Sequence, residues 1–452
     1  MLQVEQSYDQ TNFDLSPFIC SFIGSVFERS RNAEDCTDAE AKLREAYSLL
    51  IKFEFEPANT IFEDIYQSGH EKEWCLFGIG MSYLVQQNFS QSLKSFKKIS
   101  LKGTFAFLRI LGTGIIFMVQ GKNSEAEAAL RLVDHPDWKD VAGFYLGMVL
   151  TNQKRFDDAV TIFQQYYKSS NLPEVFPLGE AFTEIKRGDS KKAYSILNNT
   201  DFSGFPPLHD VVQFIKGRCC YDLENDLVSL EEFGKVSSDF LLYDEVHWYV
   251  GLISYRIKSF QQAHDAWNEI NEGNPRFEEI GLMKGMAMYE AGDLEQAAKI
   301  WKDFSEKHPS SPEGKFYQAK AYFELDQYQQ VLDTLENFPK DSSLTMNAIE
   351  LRAVSYYRQE NYEDAVKWFR VNTSGVIDVS DIQTTINNLL GEGLALIASK
   401  DVEAANDILM KLKEMKLSDS FLEPLSNAIA AFHEDECLKA LLKKELQKQG
   451  IK

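Results

Sequence analysis

One sequence unit recurs along almost the whole chain at a nearly constant spacing of 34 residues. Each unit contains a small residue, a second small residue twelve positions later, and a large apolar residue four positions beyond that. The first small residues are Ala46, Gly80, Gly114, Gly147, Ala181, Gly217, Gly251, Gly285, Ala319, Ala353 and Gly393. A period of this length is typical of repeat proteins, in which each unit packs only against its neighbours. The repeat therefore allows 452 residues to fold without one very large core.

The other two positions of the unit are equally regular. The second small residues are Ala58, Ser92, Ala126, Ala159, Ala193, Ser229, Ala263, Ala297, Val331, Ala365 and Ala405. The large residues are Phe62, Phe96, Leu130, Phe163, Leu197, Phe233, Trp267, Trp301, Leu335, Phe369 and Leu409. Turn signals such as Gly188-Asp189 lie between the small positions. The pattern predicts two helices that approach closely at their small residues, with the large side chain filling the space beside them.

At these positions the chain resembles the tetratricopeptide repeat family. Ile280–Pro309 matches that family's consensus well, and so does the preceding unit. The matching residues are Gly285, Ala297, Trp301 and Pro309, and Gly251, Ala263, Trp267 and Pro275. The resemblance implies an all-α fold, a right-handed superhelical solenoid of helix-turn-helix repeats. It places eleven repeats over residues 39–415 and implies a concave surface that binds peptides or helices of other proteins.

The two ends and two irregular spacings lie outside the regular period. Residues 1–38 contain an apolar helical pattern after Ser16-Pro17, which we interpret as a capping helix, with a segment inside the groove or a partner-docking helix as alternatives. Residues 416–452 predict C-terminal capping helices, of which the basic last one is alternatively a surface for an acidic partner. The period widens near 200–210 and 372–382. Those two stretches predict loops, which either bind a partner or are tolerated insertions.

The charge balance excludes some classes of partner. Lys and Arg number 47 and Asp and Glu number 69, which gives a formal net charge of −22. A surface of this sign repels phosphate backbones, so we expect no nucleic-acid partner. The same charge makes basic or neutral peptides easier to bind, or it serves only to keep a long solenoid soluble.

Cysteine usage and apolar runs bear on the compartment. The six cysteines form no CxxC motif, which favours a reduced compartment. The apolar stretch 18–27 follows Glu5, Asp9 and Asp14, whereas a secretory signal needs positive charge there. No run approaches the 18 or more apolar residues of a membrane span. The sequence therefore predicts a cytoplasmic protein without a transmembrane segment.

No residue pattern nominates a reaction centre. The seven histidines include no HExxH motif or closely spaced ligand pair. Gly112-Thr113-Gly114 lacks the third glycine and the preceding strand that a phosphate-binding loop needs. Cys219-Cys220 is interpreted as small apolar filler in a helix rather than a reactive pair. We therefore expect no metal ion, no cofactor and no catalytic residue.

A second apolar stripe runs along the first helices of the repeats, at three positions before, one after and four after the first small residue. These positions share one helical face. In tetratricopeptide proteins the corresponding positions line the binding groove, so the resemblance implies groove candidates. They are Phe77, Met81, Leu111, Ile115, Phe144, Met148, Phe182, Trp248, Leu252, Tyr255, Met286 and Tyr289. The alternative is that these side chains belong to the core between successive repeats.

The stripe also indicates what kind of partner segment the groove would accept. An apolar groove suits an amphipathic helix or an extended apolar segment. Members of the family that hold acidic C-termini of chaperones use Lys and Asn on this face, and apolar residues take most of those places here. The sequence therefore predicts a non-catalytic scaffold or adaptor that binds a protein or peptide segment in its groove. The alternative function is a structural subunit of a larger assembly that uses its convex face and its ends.

Overall fold

The computed structural model describes residues 23, 27, 37–136, 138–168, 170, 173–203, 206–240, 242–274, 277–373, 382–415 and 422–433. Within these ranges the chain forms α-helices, one short 3-10 helix and no strand. The chain divides into two compact units, Met1–Ile253 and Ser254–Lys452. The prediction of an all-α fold built from repeated helix pairs is confirmed.

The helices of the first unit alternate between a first and a second helix of each pair. They are α1 (Asp38–Ile51), α2 (Phe55–Ser68), α3 (Lys72–Val85), α4 (Phe89–Lys97), α5 (Ala106–Val119), α6 (Asn123–Leu130), α7 (Lys139–Asn152), α8 (Phe156–Tyr167), α9 (Val175–Arg187), α10 (Ser190–Asn198), α11 (His209–Asp222) and α12 (Asp226–Phe233). A 3-10 helix at Pro206–Leu208 precedes α11 in the first of the two irregular spacings. Helix α13 (Tyr243–Arg256) includes the last residues of this unit and the first of the next.

The second unit continues the same alternation. Its further helices are α14 (Phe260–Asn268), α15 (Phe277–Glu290), α16 (Leu294–Lys307), α17 (Pro312–Glu324), α18 (Tyr328–Thr334), α19 (Thr345–Arg358), α20 (Tyr362–Thr373), α21 (Ile382–Ala398) and α22 (Val402–Glu414). Residues 422–433 are also helical. Pro309 lies two residues beyond α16, where a proline prevents further helix. Pro275 and most of the second irregular spacing lie outside the described residues.

Every helix pair is joined by the same turn. The residue seven positions after the first small residue has a positive φ in all eleven units, with values from 56° to 94°. Only Gly121, Gly188 and Gly292 are glycines at this position, and the other eight are larger residues such as Lys154 (φ 60°). A left-handed residue ends a helix by allowing the next N–H to bond back to a carbonyl of its last turn. At Arg155 that bond reaches the Leu150 carbonyl at 2.9 Å.

In several repeats the large residue of the second helix packs against a glycine sixteen positions before it. A Cβ atom added to Gly147 would lie 2.4 Å from the Phe163 ring, and one added to Gly285 would lie 2.3 Å from Trp301. Phe163 and Trp301 are fully buried. The close approach is also evident where the second small residue is serine, because the Ser229 hydroxyl donates to the Gly217 carbonyl at 2.7 Å. Because glycine has no Cβ atom, the two helices of such a pair can approach closely at this point.

The assignment of both ends as caps remains a prediction. Within residues 1–38, Ile23 and Phe27 are described and fully buried, and the Phe27 ring stacks on Tyr47 with centroids 4.1 Å apart. At the other end Leu425 is fully buried, and its side chain occupies the space beside Gly393. The lysines of the basic tail lie outside the described residues.

Candidate partner-binding face

Most of the groove candidates are buried. Nine of the twelve are at most 8% exposed: Phe77, Met81, Leu111, Ile115, Phe144, Met148, Phe182, Trp248 and Leu252. The other three, Tyr255, Met286 and Tyr289, are half-buried and lie in the second unit. Only these three candidates therefore have a substantial part of their side chains accessible to a partner.

At the starts of α3, α5 and α7 the stripe is buried among aromatic side chains that meet across successive helix pairs. Trp138, at the start of α7, lies 5.4 Å from Trp74 of α3 and 5.9 Å from Phe77, measured between ring centroids. Phe107 of α5 lies 6.0 Å from the same Trp138 ring. Aromatic pairs at these separations are favourable in addition to the area they bury. The ends of these first helices thus share one aromatic cluster, and the space between them is filled.

Phe27, in the N-terminal segment, contributes to the same aromatic cluster. The Phe27 ring stacks on Tyr47 and meets Trp74 edge-on at 5.2 Å. Tyr47 follows the first small residue of its unit by one position, which is a stripe position. Phe27 therefore packs against side chains of the kind that the sequence assigned to the groove.

The second unit carries a row of partly exposed aromatic side chains at one position of the repeat. Tyr255, Tyr289, Phe323 and Tyr357 each lie four positions after the first small residue of their repeat, and all four are half-buried. We call these four residues the aromatic face. Tyr255 and Tyr289 were candidates from the sequence, whereas Phe323 and Tyr357 were missed. The unbroken aromatic character of this one position would have identified them.

Three of the four rings of the aromatic face contact the first residue of a second helix. Tyr255 meets Phe260 at 5.3 Å, Phe323 meets Tyr328 at 5.5 Å, and Tyr357 meets Tyr362 at 5.5 Å, all nearly edge-on. Phe260, Tyr328 and Tyr362 are the first residues of α14, α18 and α20. The tight turn brings these residues next to the last turn of the first helix. The rings are therefore fixed on one side and accessible on the other.

Carboxylates lie beside the tyrosines of this face. Burial, and secondarily the negative charge of Glu290, raises the pKa of Tyr255 to about 12. The pKa of Tyr289 is also raised, chiefly by burial and then by the negative charges of Glu324 and Glu290. Glu290 and Glu324 are themselves exposed. The face therefore combines neutral phenol rings with acidic groups at neutral pH.

One cation of the chain itself lies on this face. The Lys320 ammonium lies over the Tyr289 ring, 5.1 Å from its centroid. Lys320 follows the small residue Ala319 by one position, so it interrupts the apolar stripe at a stripe position. An ammonium at this distance is attracted by the negative face of the ring.

A pocket outside the aromatic face is lined by charged side chains. This shallow pocket of about 350 Å³ lies at the turn between α7 and α8 and includes Arg155, Asp157 and Arg187 in its lining. Its arginines are already paired, Arg155 with Asp158 and Arg187 with Asp157, each at 2.8 Å. The arginines of this pocket are thus engaged by carboxylates of the chain itself. Where the structure describes the chain, no three metal-ligating side chains come together.

The cysteine pair on α11 lies within the packed helix. Cys219 and Cys220 are buried free thiols. Burial raises the pKa of both thiols, that of Cys220 to about 11. Both therefore remain protonated at neutral pH, which agrees with the interpretation as apolar filler. No helix in the described ranges is long and apolar enough to cross a membrane.

Comparisons with known proteins agree with the repeated helix pairs. The sequence model of the tetratricopeptide repeat matches residues 141–170 and 280–311, which contain parts of α7–α8 and of α15–α16 with the turns between them. No curated protein matches the sequence.

Solved structures resemble the chain at low sequence identity. The C-terminal part of a tetratricopeptide-repeat-containing protein from Cytophaga hutchinsonii is 11% identical, with a TM-score of 0.44 over 54% of this chain and 98% of that chain. Yeast Tom70 is 11% identical, with a TM-score of 0.33 over 90% and 99%. MamA protein is 18% identical, with a TM-score of 0.34 over 38% and 91%. In the part of the chain that the structure describes, eleven helix pairs are joined by one type of turn, and two of these pairs match the model of the tetratricopeptide repeat.

Proposed function

We propose that this protein is a non-catalytic scaffold or adaptor that binds a segment of another protein along the aromatic face. The observation that carries the proposal is the partial exposure of an aromatic side chain at one position of four successive repeats. The stripe candidates of the first unit are buried, while Tyr255, Tyr289, Phe323 and Tyr357 of the second unit remain partly exposed. Accessible aromatic side chains in a regular row are unusual on a surface that serves only solubility.

The chemistry of the aromatic face suits protein recognition. Tyrosine is enriched at protein interfaces because its ring supplies apolar contact and its hydroxyl supplies a hydrogen bond, at a small cost in side-chain entropy. The rings are also held in place before binding, since Phe260, Tyr328 and Tyr362 support three of them. A surface that is ordered in advance loses less entropy when a partner binds. The row offers one aromatic contact per repeat, which fits an amphipathic helix or an extended segment.

The buried stripe residues have a different role in this proposal. Met81 and Met148 are fully buried, so they stabilise the first unit and contact no partner directly. Met286 is half-buried at the equivalent position of the second unit. Variants of Met286 therefore test binding, whereas variants of the other two methionines test folding.

Site-specific photo-crosslinking in the native cell tests the proposal. Phe323 is replaced by the photo-reactive amino acid benzoylphenylalanine, which differs from it by one added benzoyl group. The matched control carries the same amino acid at Lys302, an exposed residue of α16 away from the aromatic face. We expect position 323 to form a discrete crosslink to another protein and position 302 to form none with that protein.

A second variant connects the crosslink to the aromatic face. Replacing Tyr289 with Ala in the crosslinking protein removes a neighbouring ring, and we expect the yield of the crosslink to fall several-fold. Circular dichroism of the purified variant checks that its helices remain. Crosslinks that are equal at positions 323 and 302, or a yield unchanged by Tyr289→Ala, would contradict the proposed face.

A further inference from the structure

Two neighbouring repeats of the second unit share a tyrosine and a glutamate at equivalent positions and differ at a third position, which is methionine in one repeat and lysine in the other. Tyr255 and Glu290 occupy the positions that Tyr289 and Glu324 occupy one repeat later, because each residue precedes its counterpart by 34 positions. The place of Lys320 is taken by Met286 in the earlier repeat. The backbone supports this equivalence, since the turns that follow Tyr255 and Tyr289 both contain a left-handed residue, Lys258 at φ 62° and Gly292 at φ 84°.

The repeat that contains Tyr289 shows a cation lying over the tyrosine ring. The Lys320 ammonium lies 5.1 Å from the centroid of the Tyr289 ring. The negative charge of Glu324 acts on the same phenol and contributes to the raised pKa of Tyr289. A cation there gains both the ring quadrupole and the negative charge.

The earlier repeat has the ring and the carboxylate but has Met286 in the position of the lysine. The negative charge of Glu290 acts on the phenol of Tyr255, and Glu290 is exposed on the surface. Met286 is half-buried and carries no charge. The Tyr255 ring is partly exposed, so a cation from outside can reach it.

We infer that Tyr255 and Glu290 form a subsite for one lysine or arginine side chain of the bound protein segment. This inference rests on the proposed function, because it assigns the chemistry of a partner to the same face. The formal net charge of −22 favours the approach of such a segment over a long distance. The partner is thus a segment with a basic side chain set among apolar ones, which contact the other rings of the aromatic face.

Exchanging the residues between the two repeats provides matched variants. Met286→Lys places an ammonium where Lys320 lies in the next repeat and is expected to block the subsite. Lys320→Met removes the internal cation from Tyr289 and is expected to create a second subsite. Glu306→Gln removes one exposed carboxylate on α16, away from the aromatic face, and controls for the change in net charge. Each exchanged side chain already occurs at the equivalent position of the fold, so both variants are expected to remain folded.

Selection from a library of random 12-residue peptides displayed on their own messenger RNA tests the inference with the full-length protein. We expect peptides selected on the wild type to share one lysine or arginine, peptides selected on Lys320→Met to share two, and peptides selected on Met286→Lys to lack a shared basic position. The Glu306→Gln variant should select the same peptides as the wild type. Replacing the shared arginine of a selected peptide with citrulline, which is similar in shape and uncharged, should weaken binding about five-fold or more.

The outcomes separate this inference from the proposed function. Selected peptides that lack a basic position but lose binding to Tyr289→Ala would overturn the basic subsite and leave binding at the aromatic face intact. A basic position retained on Met286→Lys would also overturn it, because the attraction would then come from general charge. Failure to select any peptide that depends on the aromatic face would overturn both.

Discussion

The ring of Phe96 fills the space in which a side chain on Gly80 would begin. An ideal Cβ atom on Gly80 would lie 2.3 Å from the nearest ring carbon, far inside the contact distance of two carbons. The other side of the same ring faces Gly112 of the next pair, where a Cβ atom would lie 2.6 Å away. One phenylalanine thus joins two successive repeats through two glycines.

Replacing Gly80 with Ala should therefore destabilise the protein. The added methyl group forces Phe96 out of its position, and overpacking of this kind costs about 1–3 kcal/mol in free energy of unfolding. The change is measured as a shift of the urea midpoint followed by circular dichroism. Gly103→Ala is the matched control, because no atom lies within 4 Å of a Cβ added there. An equal loss in both variants would show that the contact with Phe96 is not the cause.

Replacing a left-handed turn residue with glycine should stabilise the protein. Glu224 has a φ of 56° and is exposed, and a residue with a Cβ atom is strained in this conformation. We expect Glu224→Gly to raise the free energy of unfolding by up to about 1 kcal/mol. The reverse change, Gly188→Ala, should lower it by a similar amount, since Gly188 has a φ of 94° at the equivalent turn position. Thermal and urea unfolding of both variants measure the two signs.

The two units should respond differently to a charge in the stripe. Met81→Glu buries a carboxylate at a position with no exposed surface, and desolvation of a charge costs several kcal/mol. We expect this variant to lose helicity at 25 °C or to melt far below the wild type. Met286→Glu places the same group at a half-buried position and should keep its helical spectrum. Similar melting temperatures for the two variants would contradict the difference in burial.

The phenol of Tyr255 should ionise at a higher pH than that of an ordinary tyrosine. Burial and the charge of Glu290 raise its pKa to about 12, from an ordinary value of 10.0. The phenol of the unfolded chain ionises first, so this group stabilises the fold fully below pH 10 and loses that contribution as pH rises toward 12. Ultraviolet difference titration of wild type against Tyr255→Phe isolates this phenol. The titration of a Glu290→Gln variant, compared with its own Tyr255→Phe form, should shift to lower pH, because the neighbouring negative charge is removed.

The sequence pattern predicted much of the helical architecture. The small residues and the large residue that follows them predicted the helix pairs, and Phe163 beside Gly147 shows the predicted contact. The sequence predicted a turn between the paired helices, as at Gly188-Asp189, but it did not predict the left-handed conformation of Lys154, which carries no local signal for it. There the geometry of the two packed helices imposes a strained residue that composition alone would not place in a turn.

The candidate face was predicted only in part. The sequence selected Met81 and Tyr289 by the same rule, since both lie on one face of a first helix. Helical periodicity identifies a face but not what lies opposite it, so it could not distinguish the buried Met81 from the half-buried Tyr289. Phe323 was missed because Lys320, on the same helix, was read as an interruption of the stripe.

The sequence by itself determined the repeat, the all-α fold and the sites of close helix contact, because these depend on local spacing and on residue size. The tertiary structure decided which part of the stripe a partner can reach. In the first unit Trp74, Phe107 and Trp138 meet across separate repeats and fill the space between the first helices. In the second unit Tyr255 and Tyr289 remain partly exposed beside carboxylates. The contact between Trp74 and Trp138 joins residues more than 60 positions apart, and no pattern within one repeat contains it.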